Sequence, residues 1–181
     1  HFGRFYPGKG VETLLRALVQ LRAEGIPVRL LLLGHLPKSA AAYQADLIRL
    51  ATDMVSAGPI IQREDLPPAA VSELLLAADV YVVPYSEGLT TRRTSAMAGF
   101  AHQLPVISTQ GSDLPGYFRP NDNLLLVPPD NAESLAAAIR RLYQEPALRQ
   151  RLATAGERIA ARHSWDTIAA QHVELWRSLV R

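Results

Sequence analysis

Residues 28–33 read Val-Arg-Leu-Leu-Leu-Leu, and Gly34 stops the run. An apolar stretch this short and this continuous suits a strand covered on both faces, as in a parallel sheet. Upstream, the spacing predicts a helix from about Val11 to Glu24. Leu14, Leu15, Leu18 and Leu21 fall on one face, and Gly25 and Pro27 end it. Before that helix, His1 to Phe5 reads as a first strand. Downstream, a helix from about Ala40 to Met54 carries Leu47, Leu50 and Met54, and Ile60 and Ile61 mark a short strand. Pro67 and Pro68 stand at a helix start, where a missing N–H is no loss. That helix runs to about Ala77, and Asp79 leads into the strand VYVVP. A helix from about Thr91 to His102, a strand from Leu104 to Ser108, a polar loop over 110–122 and a last strand from Leu124 to Val127 follow. Two or three helices close the chain between Ala132 and Arg181.

Strands alternating with helices imply an α/β fold, a doubly wound parallel sheet of Rossmann-like type. Such sheets bind ligands outside the carboxyl ends of their strands. The loops to inspect are therefore 3–10, 34–39, 62–67, 84–93 and 108–116. The chain has 181 residues, 48% of them hydrophobic and 20% charged, enough to bury a core. It has no cysteine, which excludes a disulfide scaffold and any thiolate metal site. A formal net charge of +2 gives no ground for nucleic-acid binding. The histidines, His1, His35, His102, His163 and His172, show no metal-ligand spacing. His35 follows Gly34 at a strand end and faces either a site or ordinary packing. Trp165 and Trp176 read as packing residues of the last helix. The arginines of the C-terminal third alternate with Glu133, Glu145 and Glu157 and read as a solvated helical face.

Two constellations carry chemistry. Gly3 and Arg4 end the first strand, and Gly8-Lys9-Gly10 opens the next helix. A helix start beside two cations favours an anion, although the spacing is neither a P-loop nor GxGxxG. A plain strand-to-helix turn with surface cations is the competing reading. The second constellation is PYSEGLTTRRTSAMAG, residues 84–99. Thr90 or Thr91 is placed to cap a helix whose first turn would hold Arg92 and Arg93. Two cations there oppose the helix dipole, so Glu87, another carboxylate or a bound phosphate should compensate them. Together the two loops point to a phosphate-bearing ligand at one sheet edge.

The order GRFYPGKGVETLLRAL, RLLLLG, AADVYVVPYSEG, AHQLPVIST, LLLVPPDNAESLAAAI, HSWDTIA resembles the C-terminal, donor-binding half of retaining glycosyltransferases of the GT-B fold, family 4 or group 1 type. The resemblance covers nearly the whole chain. It implies that Arg4 and Lys9 hold the diphosphate of a nucleotide-sugar donor, a UDP- or GDP-sugar, with no cofactor and no metal. It implies that Glu87 and Gly88, with Gly3 and the backbone N–H groups of Leu89, Thr90 and Thr91, meet the sugar and diphosphate. It divides the chain into a Rossmann-like nucleotide-sugar-binding domain, 1–163, and a helix, 164–181, that packs towards an N-terminal acceptor domain absent here. It implies a cytoplasmic protein, with any peripheral membrane contact made through that absent half. The isolated piece is expected to transfer little by itself.

The pattern departs in one place. The family carries two glutamates with seven residues between them. Counting from Glu87, the second position is Ser95; aligning on Gln103-Leu104-Pro105-Val106, it is Ala98. The family's glycine ahead of that segment is here Gln103. Loss of the second acid weakens the implied ribose contact, which Ser95 would make as a neutral acceptor. Arg92 and Arg93 are then candidates for added phosphate contacts. Two other readings stand beside transfer: a nucleotide-binding or scaffolding module without catalysis, and a nucleotide-sugar epimerase of related fold.

Overall fold

The computed structural model describes residues 1–35, 41–55 and 60–180. In chain order the elements are α1 (Val11–Ala23), β1 (Leu30–Leu33), α2 (Ala41–Val55), β2 (Ile60–Arg63), α3 (Pro68–Leu76) and β3 (Tyr81–Val83). Then come α4 (Thr94–Ala101), β4 (Val106–Thr109), β5 (Leu125–Val127), α5 (Ala132–Gln144), α6 (Pro146–Arg162) and α7 (Trp165–Leu179). All strand pairing is parallel: β1 with β2, and β3 with β4 with β5. Residues 1–3 lie between the two groups. They exchange Leu33 N–H to His1 O and Gly3 N–H to Leu33 O with β1, and the His1 ring nitrogen Nδ1 is 2.8 Å from the Val82 carbonyl of β3. The spatial order is therefore β2, β1, residues 1–3, β3, β4, β5. Chain direction across the sheet reverses between residues 1–3 and β3, the place where an open α/β sheet leaves a crevice at its carboxyl edge.

Three predicted boundaries need correction. His1–Phe5 runs beside β1 through one bridge, Phe2 to Leu33, and the bonds Leu33 N–H to His1 O, Gly3 N–H to Leu33 O and Phe5 N–H to His35 O, but Gly3 at φ 137° interrupts a regular strand. The 28–33 run pairs only from Leu30; the Val28 carbonyl is taken instead by Arg22 of α1, at 3.2 and 3.1 Å. The helix expected from Thr91 begins at Thr94. The Thr90 hydroxyl and carbonyl accept from Arg92 N and Arg93 N, closing a separate turn ahead of the helix. Arg92 and Arg93 thus precede the first helical turn. Loop 34–39 lies outside the described residues from position 36, and so does the Met54 side chain.

Alternation along the strands makes two apolar layers. Val82, Ile107 and Leu125 face α1 and α5, where Leu14, Leu18, Leu135 and Ile139 are buried. Tyr81, Val83 and Val106 face α4 and the end of α6, with Leu75, Phe100 and Ile159. Both faces of the central strands are dry, which is why their sequence is apolar without a gap. In α7, by contrast, no residue is buried. Trp165 keeps 84% of its surface exposed and Trp176 keeps 61%.

Candidate functional site

Three loops are tied together at the carboxyl edge. Gly10, at φ 68°, lies so close to Pro84 that a Cβ built there would stand 1.8 Å from the Pro84 carbonyl oxygen. Ser86 N–H donates to Gly8 O at 3.1 Å, joining the same two loops again. The Thr109 hydroxyl donates to Tyr85 O, and Leu89 N–H donates to Thr109 O at 3.0 Å, tying residues 84–89 to the end of β4. The glycine-and-cation turn and the PYSEG loop are therefore in direct contact at one sheet edge.

Tyr85 organises the charges at that contact. Its ring has Lys9 Nζ 5.1 Å and Arg93 Cζ 4.8 Å from its centroid, and Lys9 also lies over Tyr6 at 4.9 Å. All three distances are within the range of cation–π attraction. The Tyr85 hydroxyl is held by the Ser95 hydroxyl at 2.8 Å. Burial pushes the Tyr85 phenol above its ordinary value, partly offset by that hydrogen bond and by the Arg93 charge. The ring is thus a neutral partner for two cations. Lys9 is only 9% exposed, and among the described residues no carboxylate lies within ion-pair distance of it. Most of the Lys9 side chain is packed against its neighbours, and its charge meets two ring faces rather than a carboxylate, so an anion arriving at this edge can pair with it. Arg93 does have one: Nη2 donates to Glu87 Oε2 at 2.6 Å. Glu87 supplies the compensation expected for the arginine pair, but for Arg93 alone.

Other candidates divide by position. Arg4 is exposed and lines a cleft of about 260 Å³ together with Phe2, Gly3, Gly34, His35, Arg63 and Asp65. His35 pairs with Glu64 at 3.3 Å on its rim. Lys9, Glu87 and Arg93 lie outside this lining. The two halves of the edge meet where Gly3 faces Ser95, whose Cβ and Oγ would be 3.6 Å from a Cβ on Gly3. Gly88 is packed on the backbone of Gly111. Leu89 is fully buried and its N–H is already committed to Thr109, so neither is free for a ligand in this arrangement. Thr91 and Arg92 are exposed. Tyr85, Tyr6, Arg63 and Asp65 escaped the sequence reading. All four fell in inspected loops without being singled out, and nothing local marks Tyr85 as a seat for two cations. Among the described residues no group of three or more His, Asp or Glu could hold a metal. None of their helices is long and apolar enough to cross a membrane.

The family model for glycosyl transferases group 1 matches residues 1–145. The chain belongs to the group 1 glycosyltransferases. Among curated relatives, it is 29% identical over 182 residues to a D-inositol 3-phosphate glycosyltransferase of Corynebacterium urealyticum, covering 98% of this chain and 42% of that protein. The sucrose-phosphate synthase structure from Thermosynechococcus elongatus is 30% identical, with a TM-score of 0.82 over 99% of this chain and 44% of that one. Anabaena HepE, solved with UDP and with UDP-glucose, superposes with a TM-score of 0.85 at 21% identity, covering 98% of this chain and 48% of that one. At that identity the likeness shows the fold, which is GT-B. The chain spans less than half the length of these proteins.

Proposed function

We propose that this chain is the donor-binding half of a glycosyltransferase that moves a sugar from a nucleotide diphosphate sugar to an acceptor with retention at the anomeric carbon. The observation that carries the reading is Lys9, a largely covered side chain at the switch point of the sheet whose ammonium lies over the Tyr6 and Tyr85 rings with no carboxylate partner among the described residues, in a chain of this family. Arg4, Lys9 and Arg93 would neutralise the diphosphate. Glu87 would hold sugar hydroxyls. The cleft between Arg4, Gly34 and Arg63 would take the nucleoside. In the transfer, the bond from the anomeric carbon to the outer phosphate oxygen breaks and its electron pair leaves with the diphosphate. The acceptor hydroxyl oxygen forms the new bond, and its proton passes to the departing diphosphate oxygen. Cations already fixed around the leaving group stabilise its developing charge without reorganising. α7, with no buried residue, would pack against the acceptor-binding half. Nucleotide sugars are made in the cytoplasm, and the protein would act there.

One observation favours the second reading, a nucleotide-binding module without catalysis. Ser95, at the position counted from Glu87 for the family's second acid, already spends its hydroxyl on Tyr85. Calorimetric titration of the intact protein with UDP, GDP and ADP, beside an Arg4→Ala/Lys9→Ala variant, tests the proposal. Binding of one nucleotide, lost in the variant, is the expected result. Binding of none would sink it. Binding without turnover of the matching nucleotide sugar, with acceptor supplied, would favour the module.

A further inference from the structure

The Glu87–Arg93 pair is lopsided. The Arg93 side chain is 16% exposed and lies on the Tyr85 ring, which Ser95 pins through its hydroxyl. The Glu87 side chain is 82% exposed, on a turn at the rim. One partner is fixed and the other can leave. A carboxylate is therefore seated on one of the two cations that share Tyr85, while the other, Lys9, has none among the described residues. A diphosphate brings more charge than a carboxylate, so it can compete with Glu87 for Arg93.

Resting on the nucleotide-sugar reading above, we propose that Glu87 and Arg93 make this site discriminate the intact nucleotide sugar from the nucleoside diphosphate left after transfer. Either ligand competes with Glu87 for Arg93, whose Nη2 the carboxylate occupies. With the sugar present, the displaced carboxylate accepts hydrogen bonds from sugar hydroxyls. With the sugar gone it has no such partner and competes for Arg93 again. Glu87 thus serves as a sugar contact before transfer and as an internal competitor that weakens product binding afterwards. Arg93 is a diphosphate contact, and Tyr85 is the positioning residue that keeps it in place.

The test measures dissociation constants of the intact protein for UDP, GDP and ADP and for the corresponding glucose diphosphate nucleotides. The proteins are wild type, Glu87→Gln, Arg93→Gln and Arg93→Lys, the last as a charge-preserving control, and the double variants that combine Glu87→Gln with each arginine replacement. An ion pair with one exposed carboxylate is worth a factor of about 1.5 to 5 in such an equilibrium. Glu87→Gln should bind the nucleoside diphosphate tighter by about that factor and the nucleotide sugar no tighter. The gain should persist beside Arg93→Lys and vanish beside Arg93→Gln. An equal gain with and without the arginine would mean a general loss of negative charge and would overturn the proposal. So would an equal gain for the nucleotide sugar, or no gain at all. If the wild type binds none of these ligands, the nucleotide-sugar reading itself fails and takes this inference with it.

Discussion

Replacing Gly10 by alanine tests whether the two site loops are one unit. Gly10 sits at φ 68°, and a methyl group there would lie 1.8 Å from the Pro84 carbonyl oxygen and 2.8 Å from its carbon. Neither neighbour has a rotamer to change, so the start of α1 and the PYSEG loop must separate. The left-handed backbone alone costs about 1 kcal/mol for a residue with a Cβ. Forcing extra volume into a closed contact adds about 1–3 kcal/mol, for a total of about 2–4 kcal/mol. Gly25, at φ 79° with nothing within 4 Å of where a Cβ would stand, isolates the backbone share. Gly25→Ala should therefore lose about 1 kcal/mol. Urea unfolding followed by circular dichroism measures both. The separation should also stretch the Ser86 to Gly8 hydrogen bond and displace Lys9 from Tyr85, weakening nucleotide binding in Gly10→Ala and leaving it intact in Gly25→Ala. If Gly10→Ala is no less stable than Gly25→Ala and binds nucleotide normally, the close approach does not hold the site together and the reasoning is wrong.

Two further outcomes concern stability. Asn131 caps α5 by accepting from Ser134 N at 2.8 Å, so Asn131→Ala should lose about 1 kcal/mol in the same unfolding assay. An unchanged midpoint would show that α5 is held by its packing alone. Arg140 donates to Glu24 through Nε at 2.6 Å and holds the Glu24 carboxyl below its ordinary value of 4.5. The folded state then binds this proton less readily than the unfolded state, so the contribution is full above that value and is lost as pH falls through the lower folded value. Glu24→Gln should therefore lower the urea midpoint at neutral pH, with the difference from wild type closing in strong acid. A difference that persists unchanged in acid would assign the effect to something other than the ion pair.

Much of the fold was legible because burial on both faces leaves a local trace. The run Leu30–Leu33 and the stripe of Leu14, Leu15, Leu18 and Leu21 each report their environment through period and composition. The caps of the last helices, Asn131 for α5 and Ser164 for α7, were not singled out in the sequence and emerge from their hydrogen bonds to Ser134 N and Thr167 N. The start of α4 was misplaced because two hydrogen bonds to Thr90 close a turn that competes with the helix, a choice between local partners that spacing does not rank.

By itself, the sequence determined that an alternating α/β chain would bring Arg4, Lys9 and the Glu87 loop to one edge, since parallel crossovers put all those loops on the same side. The order of motifs also determined the family. Only the tertiary structure decided which charges meet. Lys9 and Arg93 lie far apart along the chain and share Tyr85 because Gly10 lets one backbone touch another. Leu89 N–H and the Ser95 hydroxyl, both plausible ligand contacts from sequence, are already bonded to Thr109 and Tyr85. Side-chain periodicity records how deeply a residue is buried. It carries no record of which distant partner satisfies a polar group, because that pairing is set by the packing of whole elements.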